Sequence, residues 1–219
     1  MNFTLLWLVL CLGAYFIGSI PFGYLVGKIF HHQDIRKSGS GNIGATNALR
    51  LYGIITGIGV LILDFLKGFI VVWFLYKVVP VKFSYLIVEN PINPFIYNLP
   101  ALMVIIGHMY SIFLGFKGGK GVSTALGVFI FLDTIPMLLA LVVFVIVVAI
   151  TRYVSLGSII TAFSFFIIDF LWNILVMKEY AFPWFQLTVV LLIIYKHYPN
   201  ILRLLEHQES KLSFKKGKE

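Results

Sequence analysis

Long apolar runs recur along this chain, and they constrain its fold more than any other feature. Each run of 18 or more residues, as a helix, could cross a hydrocarbon core of ~30 Å. Hydrophobic residues make up 60% of the chain and charged residues only 12%, which excludes a soluble domain. Aromatic residues, at 16%, fit the belts found at membrane interfaces. The sequence therefore predicts an all-α polytopic membrane protein, a single integral membrane domain over residues 1–219.

The breaks between the runs indicate where the spans lie. They predict a short polar helix at 43–52 and spans at about 3–27, 55–79, 99–114, 157–176 and 182–196. Residues 122–150 could form one span or a tight pair of short ones. No Lys or Arg precedes residue 28 and no small-residue cleavage site follows the first run, so that run is interpreted as a retained span and not a signal peptide.

The distribution of positive charge decides the number of spans. A pair in 122–150 gives seven spans, with the N-terminus outside, the tail in the cytoplasm and thirteen of the seventeen Lys and Arg residues inside. A six-span arrangement would place the basic tail outside, against the positive-inside tendency. Seven transmembrane helices are therefore predicted. The net charge of +8 fits cytoplasmic loops and anionic headgroups without nucleic acid.

A glycine-rich polar stretch at 38–50 stands out from its apolar surroundings. Glycines allow backbone N–H groups to crowd together, and hydroxyl and amide side chains add donors. Arg50 lies four residues after Thr46, so a helix beginning near Ile43 places both on one face. A flexible linker is the simpler reading, but it needs no such pattern. The stretch predicts an anion site formed by Ser38, Ser40, Gly41, Asn42, Gly44, Thr46, Asn47 and Arg50.

A second donor-rich stretch occupies 107–124 and leads into an apolar helix. Its glycines, lysines and hydroxyl groups resemble a phosphate cradle at a helix N-terminus, although the P-loop spacing is absent. The alternative is a positive loop that only sets topology, and Lys117 needs no other role. The candidate binding residues here are His108, Gly118, Gly119, Lys120, Gly121 and Ser123.

Charged and polar residues also occur within or beside the spans. Asp64 and Lys67, three residues apart, are expected to pair on an inward face, although a substrate role stays open. His197 and Asn200 share a face at the end of the last span, at 196–200, as interfacial caps or as site residues. An amphipathic surface helix should follow in the basic tail, 201–219. With the predicted topology, both glycine-rich stretches and 196–200 lie at the cytoplasmic surface.

Several catalytic arrangements are excluded. No His is followed five residues later by Asp, there is no G-x-S-x-G elbow, and no Cys/His cluster has metal-ligand spacing. We therefore expect no metal and no cofactor. A carrier for phosphorylated solutes and a different lipid phosphotransferase are the alternative functions, but no internal repeat favours a carrier.

The motifs resemble one known family. The chain resembles the bacterial acyl-phosphate-dependent glycerol-3-phosphate acyltransferases in three segments. These are residues 38–47, Gly107-His108 with Lys117–Val122, and Lys196–Asn200 with a glutamate-containing tail. The resemblance covers nearly the whole chain. It implies a seven-span enzyme of the bacterial cytoplasmic (inner) membrane that transfers an acyl chain from acyl phosphate to the 1-hydroxyl of glycerol 3-phosphate. The products would be lysophosphatidic acid and inorganic phosphate, in the first acylation step of phospholipid synthesis.

The resemblance also assigns roles. Ser40, Lys120 and His197 would be catalytic, and Arg50 and Asn200 would help to hold glycerol 3-phosphate. The segment around Gly41 and Thr46 would hold the acyl phosphate. The implied partners are the two substrates, membrane lipid and a soluble phosphate acyltransferase that supplies the donor. The identity of the general base stays open, because a substrate phosphate could accept the proton.

Overall fold

The computed structural model describes residues 3–82, 95–178 and 183–212, which form helices and connecting turns. Its contacts divide the chain into two compact units, the first ending at Leu132 and the second beginning at Asp133. Within the described ranges, five helices are long and apolar enough to span a membrane: Thr4–Phe30, Ile54–Lys82, Tyr97–Leu114, Thr134–Thr151 and Val154–Met177. Two shorter apolar helices are Val122–Leu132 and Trp184–Lys196. The predicted all-helical membrane architecture is confirmed, and the count of seven spans stays a prediction.

The first unit contains α1 (Phe3–Ser19), α2 (Phe22–Phe30), α3 (Ala45–Tyr52), α4 (Ile54–Trp73), α5 (Phe95–Met109) and α6 (Val122–Leu132). The first apolar run breaks between α1 and α2 at Pro21, which has no N–H to continue the helix. The predicted polar helix before the second span is α3, and Gly53 separates it from α4. Helix α4 continues through a π-helical turn, Phe74–Val78, and a last turn, Val79–Lys82.

Helices of this unit pack through glycines. The backbones of α1 and α5, and of α4 and α6, approach so closely that a Cβ would collide with a carbonyl of the partner helix. This occurs at Gly18 (against Val104), Gly107 (Tyr15), Gly68 (Thr124) and Gly127 (Phe65). Close approach through small residues is how helices associate in lipid, where burial of apolar surface gives little driving force.

Two predicted spans differ in detail. The predicted pair of short spans in 122–150 is unequal, because the break falls at Asp133 and leaves α6 with 11 residues and the following helix with 18. The span predicted at 99–114 ends its α-helix at Met109 and continues only as a 3₁₀ turn at Ile112–Leu114. The Ser111 hydroxyl donates to the carbonyl of Ser19 at this break. Most of the predicted loop at 80–98, Glu179 and the end of the basic tail lie outside the described residues.

The second unit contains α7 (Thr134–Thr151), α8 (Val154–Trp172), α9 (Trp184–Lys196) and α10 (Tyr198–Leu205). A tight turn joins α7 to α8, with Arg152 in the left-handed region at φ 63°. The segment after α10 returns to this turn, where Leu212 N–H donates to the carbonyl of Arg152 over 2.7 Å. Helix α10 is the amphipathic helix expected after the last span, with Leu202 and Leu205 exposed.

Asp133, at the start of the second unit, has an unusual environment. Burial and the neighbouring Asp169 raise its pKa to about 7, against the opposing effect of a hydrogen bond from Gln186. That bond runs from Gln186 Nε2 to Asp133 Oδ2 over 3.3 Å. The folded protein therefore binds this proton more tightly than the unfolded chain does. Stability should be highest below the ordinary carboxyl pKa and should fall as the pH rises towards 7.

Asp133→Asn should remove this pH dependence, because the amide oxygen still accepts from Gln186 but cannot ionise. At pH 8 we expect the variant to be more stable than the parent by about 1–4 kcal/mol, at ~1.4 kcal/mol per pKa unit, and by about a quarter of that at pH 4.5. Thermal unfolding in detergent between pH 4.5 and 8.5 measures the effect, with the exposed Glu206→Gln as control. Parallel pH profiles for Asp133→Asn and the parent would contradict it.

Candidate active site

Asn47 organises the first glycine-rich stretch from inside. Its side chain is 1% exposed, on the face of α3 that the loop covers. Its Nδ2 donates to the carbonyls of Ile35 (3.1 Å), Ser38 (3.2 Å) and Asn42 (2.9 Å). Its Oδ1 accepts from the N–H of Ser40 over 2.9 Å. One amide thus ties four backbone groups of the loop together and holds the loop in a single shape.

Gly39 allows the loop to close over this amide. It has φ 62°, a conformation that glycine adopts without strain, and a Cβ would collide with Asn47 Oδ1. The side chains of Ser38 and Ser40 stay exposed as a result. Asn42 Oδ1 accepts from Gly44 N–H over 2.8 Å, a local turn that directs the chain into α3.

The N-terminus of α3 is preceded by Gly44, and none of the described side chains caps it. The first-turn N–H groups of a helix carry partial positive charge and are suited to phosphate oxygens. Thr46 lies half-buried in this turn, and Arg50 lies half-buried in the last turn. The stretch therefore combines exposed hydroxyl groups, a helix N-terminus and a guanidinium group.

The second glycine-rich stretch folds back on the end of α5. Gly118 N–H donates to the carbonyl of Met109 over 3.2 Å, and Gly119 N–H donates to the carbonyl of His108 over 3.0 Å. The carbonyl of Gly121 accepts from Ala125 N–H over 2.8 Å and begins the helical pattern of α6. Lys117 is exposed, whereas Lys120 is half-buried between these turns and Ser123 lies half-buried in the first turn of α6.

An apolar cluster joins the two stretches within the first unit. The cluster contains Ile43 and Ala48 of the first stretch and Ile35 just before it. These residues pack with Val60 of α4 and Leu114 of the second stretch. Every member is at most 8% exposed. Segments about seventy residues apart in sequence are therefore anchored on one small core. The two predicted anion cradles belong to the same compact unit.

Behind the second stretch lies a buried charged triad of Asp64, Lys67 and His108. Lys67 Nζ lies 2.8 Å from Asp64 Oδ1, which confirms the predicted pairing, and 2.8 Å from His108 Nδ1. It also donates to the carbonyl of Ile20, at the break before Pro21, over 3.1 Å. The three side chains are at most 4% exposed.

The second unit contains the other predicted residues. His197, 2% exposed, lies between α9 and α10, and its Nδ1 is 2.8 Å from the carbonyl of Ile193. A carbonyl can only accept, so Nδ1 carries the proton and Nε2 is the basic nitrogen of the neutral ring.

Asn200 contacts a glutamate of the tail. Its Nδ2 donates to Glu209 Oε1 over 2.7 Å, and Ser155 of α8 donates to the same oxygen over 2.8 Å. Arg203 Nε donates to Glu209 Oε2 over 2.8 Å. Burial raises the pKa of Glu209, but the hydrogen bonds from Arg203, Ser155 and Asn200 outweigh it, and the net shift is downward. Glu209 is thus held as a carboxylate that fastens the tail to α8 and α10.

The polar stretches were predicted from the sequence, but several of their buried hydrogen bonds were not. The sites predicted at 38–50 and 107–124 fall in the first unit, and His197 and Asn200 fall in the second. Asn47, His108 and Asn200 were predicted to contact substrate, and the structure shows their side chains in contacts within the protein. Glu209 was not assigned a role, although a glutamate-containing tail was part of the resemblance. Contact of any of these residues with substrate stays a prediction.

Comparisons with known proteins identify the family. The family model described as glycerol-3-phosphate acyltransferase matches residues 8–207. A glycerol-3-phosphate acyltransferase 2 from Bacillus anthracis is 41% identical over 91% of this chain and 95% of its own. The Fusobacterium nucleatum glycerol-3-phosphate acyltransferase is 41% identical over 92% of this chain and 95% of its own.

Solved structures agree. The glycerol 3-phosphate form of PlsY (YgiH), an integral membrane glycerol 3-phosphate acyltransferase, is 38% identical, with a TM-score of 0.79 over 94% of this chain and 96% of its own. The lysophosphatidic acid form is 37% identical, with a TM-score of 0.75 over 95% and 96%. This chain belongs to the glycerol-3-phosphate acyltransferase family and is a membrane-bound acyltransferase.

Proposed function

We propose that this enzyme transfers an acyl chain from an acyl phosphate to the 1-hydroxyl of glycerol 3-phosphate. The observation that carries the proposal is the apolar cluster that anchors two cation-bearing, glycine-rich stretches in one unit. Two cradles suit a reaction in which both reactants carry a phosphate. The relatives act on glycerol 3-phosphate, and one neighbouring structure is a lysophosphatidic acid form, the product expected of this transfer.

The proposed reaction proceeds by direct displacement. The hydroxyl oxygen of glycerol 3-phosphate attacks the acyl carbon, the bond from that carbon to the phosphate oxygen breaks, and inorganic phosphate leaves with the electron pair. Because this leaving group is a stable anion, positioning matters more than a covalent intermediate. Lys120 and Arg50 would offset repulsion between the two phosphates. Ser40 and backbone N–H groups of the first stretch would stabilise the tetrahedral oxyanion.

His197 is our candidate for the proton acceptor. The carbonyl of Ile193 orients its Nδ1–H, so Nε2 is the nitrogen that would take the hydroxyl proton. His197→Ala should lower kcat by about 10²-fold and flatten the acidic limb of the pH profile, with little change in donor KM. Steady-state kinetics from pH 5.5 to 9 measures this, with the exposed His207→Ala as control. An unchanged pH profile would assign the proton to a substrate phosphate instead.

We further propose seven transmembrane helices, with the N-terminus outside and the active-site segments at the cytoplasmic face of the inner membrane. Among the described residues, five long helices and two shorter apolar ones would provide the seven segments. The basic residues near Lys28, Lys120 and Arg152 would then lie inside. A soluble phosphate acyltransferase would deliver the donor at this face.

An assay of acyl transfer with defined donors tests the proposal. Purified enzyme in lipid nanodiscs is given palmitoyl phosphate and glycerol 3-phosphate, and phosphate and lysophosphatidic acid are measured together. We expect equal amounts of the two products and no turnover when palmitoyl-CoA replaces palmitoyl phosphate. Turnover with palmitoyl-CoA alone would overturn the assignment of the donor.

A further inference from the structure

We propose that Asp64, Lys67 and His108 form a positioning triad, which places the Gly118–Lys120 backbone for the acyl transfer. The inference rests on the proposed function, and it gives this buried group a role beyond holding helices together. The three residues come from two helices, since Asp64 and Lys67 lie on α4 and His108 lies in the last turn of α5.

The triad restrains the His108 ring in one tautomer. The Lys67 ammonium lies within hydrogen-bond distance of His108 Nδ1 and the Ile20 carbonyl, at 2.8 and 3.1 Å, and forms an ion pair with Asp64 Oδ1 at 2.8 Å. An ammonium group has no lone pair, so His108 Nδ1 must accept, and the proton of the neutral ring is on Nε2. Asp64 Oδ1, 3.4 Å from the same Nδ1, balances the positive charge.

The restrained ring in turn defines where Gly119 lies. A Cβ on Gly119 would collide with Nε2 and would lie 2.9 Å from Cε1. The ring edge opposite Lys67 therefore packs directly on the Gly119 backbone. The main chain of His108 adds a second restraint, because its carbonyl accepts from Gly119 N–H over 3.0 Å. Lys120 is the next residue, so its backbone position follows from His108.

A purely structural role would not need these groups. A lysine or aspartate in the middle of a membrane span costs about 2.5–3.5 kcal/mol. Well-packed apolar residues often replace a buried ion pair with no loss of stability. A hydrogen bond such as that between Lys67 and His108 differs from apolar packing because it is directional, and it therefore restrains the orientation of the His108 ring. The triad thus links the α1–α2 break, through Lys67 and His108, to the loop that carries the catalytic lysine.

A double-mutant cycle between His108 and Gly119 tests the link. His108→Asn keeps an acceptor for Lys67 near the former Nδ1 but removes the ring edge beside Gly119. Gly119→Ala adds the methyl group that the ring excludes. We expect each single variant to lower kcat/KM by about 10²-fold, the loss typical of a displacement of ~1 Å in a catalytic group. In the His108→Asn background, Gly119→Ala should cost less than about 3-fold, because the clash is gone.

Controls separate the positioning role from loss of folding and from failure of the proposed function. Gly59→Ala lies in α4, where the added Cβ has no described atom within 4 Å apart from its own helix backbone, and it should keep the parent activity. Lys67→Met should lower kcat/KM by about 10²-fold by releasing the His108 ring.

Independent, multiplicative losses in the cycle would overturn the positioning role, as would a Lys67→Met variant with parent kcat/KM. A parent enzyme without acyl-phosphate turnover would overturn the proposed function instead. If His108→Asn does not fold, His108→Ser, which also removes the ring edge beside Gly119, completes the cycle, and the same non-additivity with Gly119→Ala is required.

Discussion

Lys120→Met should lower kcat/KM by about 10³-fold or more, whereas Lys117→Met should lower it by less than about 3-fold. The two lysines lie in the same loop and their substitutions remove the same charge. Only Lys120 is half-buried between the Gly118–Gly119 turn and α6, and Lys117 is exposed. A cation held where two phosphates meet lowers their repulsion throughout the reaction, and a partly buried position strengthens its field.

Steady-state kinetics with both substrates varied measures the contrast between the two lysines. Circular dichroism and size-exclusion elution in detergent establish that both variants are folded. Equal losses for the two variants would mean that the loop contributes only general positive charge. A fully active Lys120→Met enzyme would remove this loop from the catalytic site.

Asn47→Asp should lower kcat/KM by about 10³-fold, although the substitution changes a single polar group. The carboxylate keeps the acceptor for Ser40 N–H but loses both N–H donors. The carbonyls of Ile35, Ser38 and Asn42 would then surround a buried negative charge. Each buried group that loses its partner costs about 1–3 kcal/mol, and an unpaired buried charge costs more. The loop should lose its single conformation, and its N–H and hydroxyl donors should no longer be held close together.

Gln33→Glu is the matched control for Asn47→Asp, since it makes the same amide-to-acid change at an exposed side chain on the approach to the loop. It should keep kcat/KM within about 2-fold of the parent. Hydrogen exchange should rise over residues 38–46 in Asn47→Asp and stay unchanged in Gln33→Glu. An active Asn47→Asp enzyme with a protected loop would show that the hydrogen-bond hub is dispensable.

The two glycine-rich stretches were predictable because their composition departs sharply from the apolar chain around them. Glycine, hydroxyl groups and cations in one short segment have few purely structural explanations. The break at Gly53 and the ion pair of Asp64 with Lys67 were predictable for a similar reason. Both depend on residues close in sequence, through helix length and i,i+3 spacing.

Contacts between distant residues were not predictable. The sequence indicated that Asn47 is polar and near an anion site, but not that its side chain points inward to four backbone groups. The partnership of His108 with Lys67 spans 41 residues, and local spacing carries no signal for it. The carbonyl that orients His197 was also missed, because a search for an acidic partner does not detect a main-chain acceptor four residues earlier.

We expect the enzyme to hold its two phosphate-bearing reactants side by side. Calorimetric titration of glycerol 3-phosphate into the detergent-solubilised enzyme, with and without saturating palmitoyl phosphonate, tests it most directly. The phosphonate mimics the acyl phosphate but cannot transfer its chain. We predict that one equivalent of glycerol 3-phosphate binds in both titrations and forms a ternary complex. Loss of glycerol 3-phosphate binding in the presence of the phosphonate would show a single shared phosphate site and contradict the account.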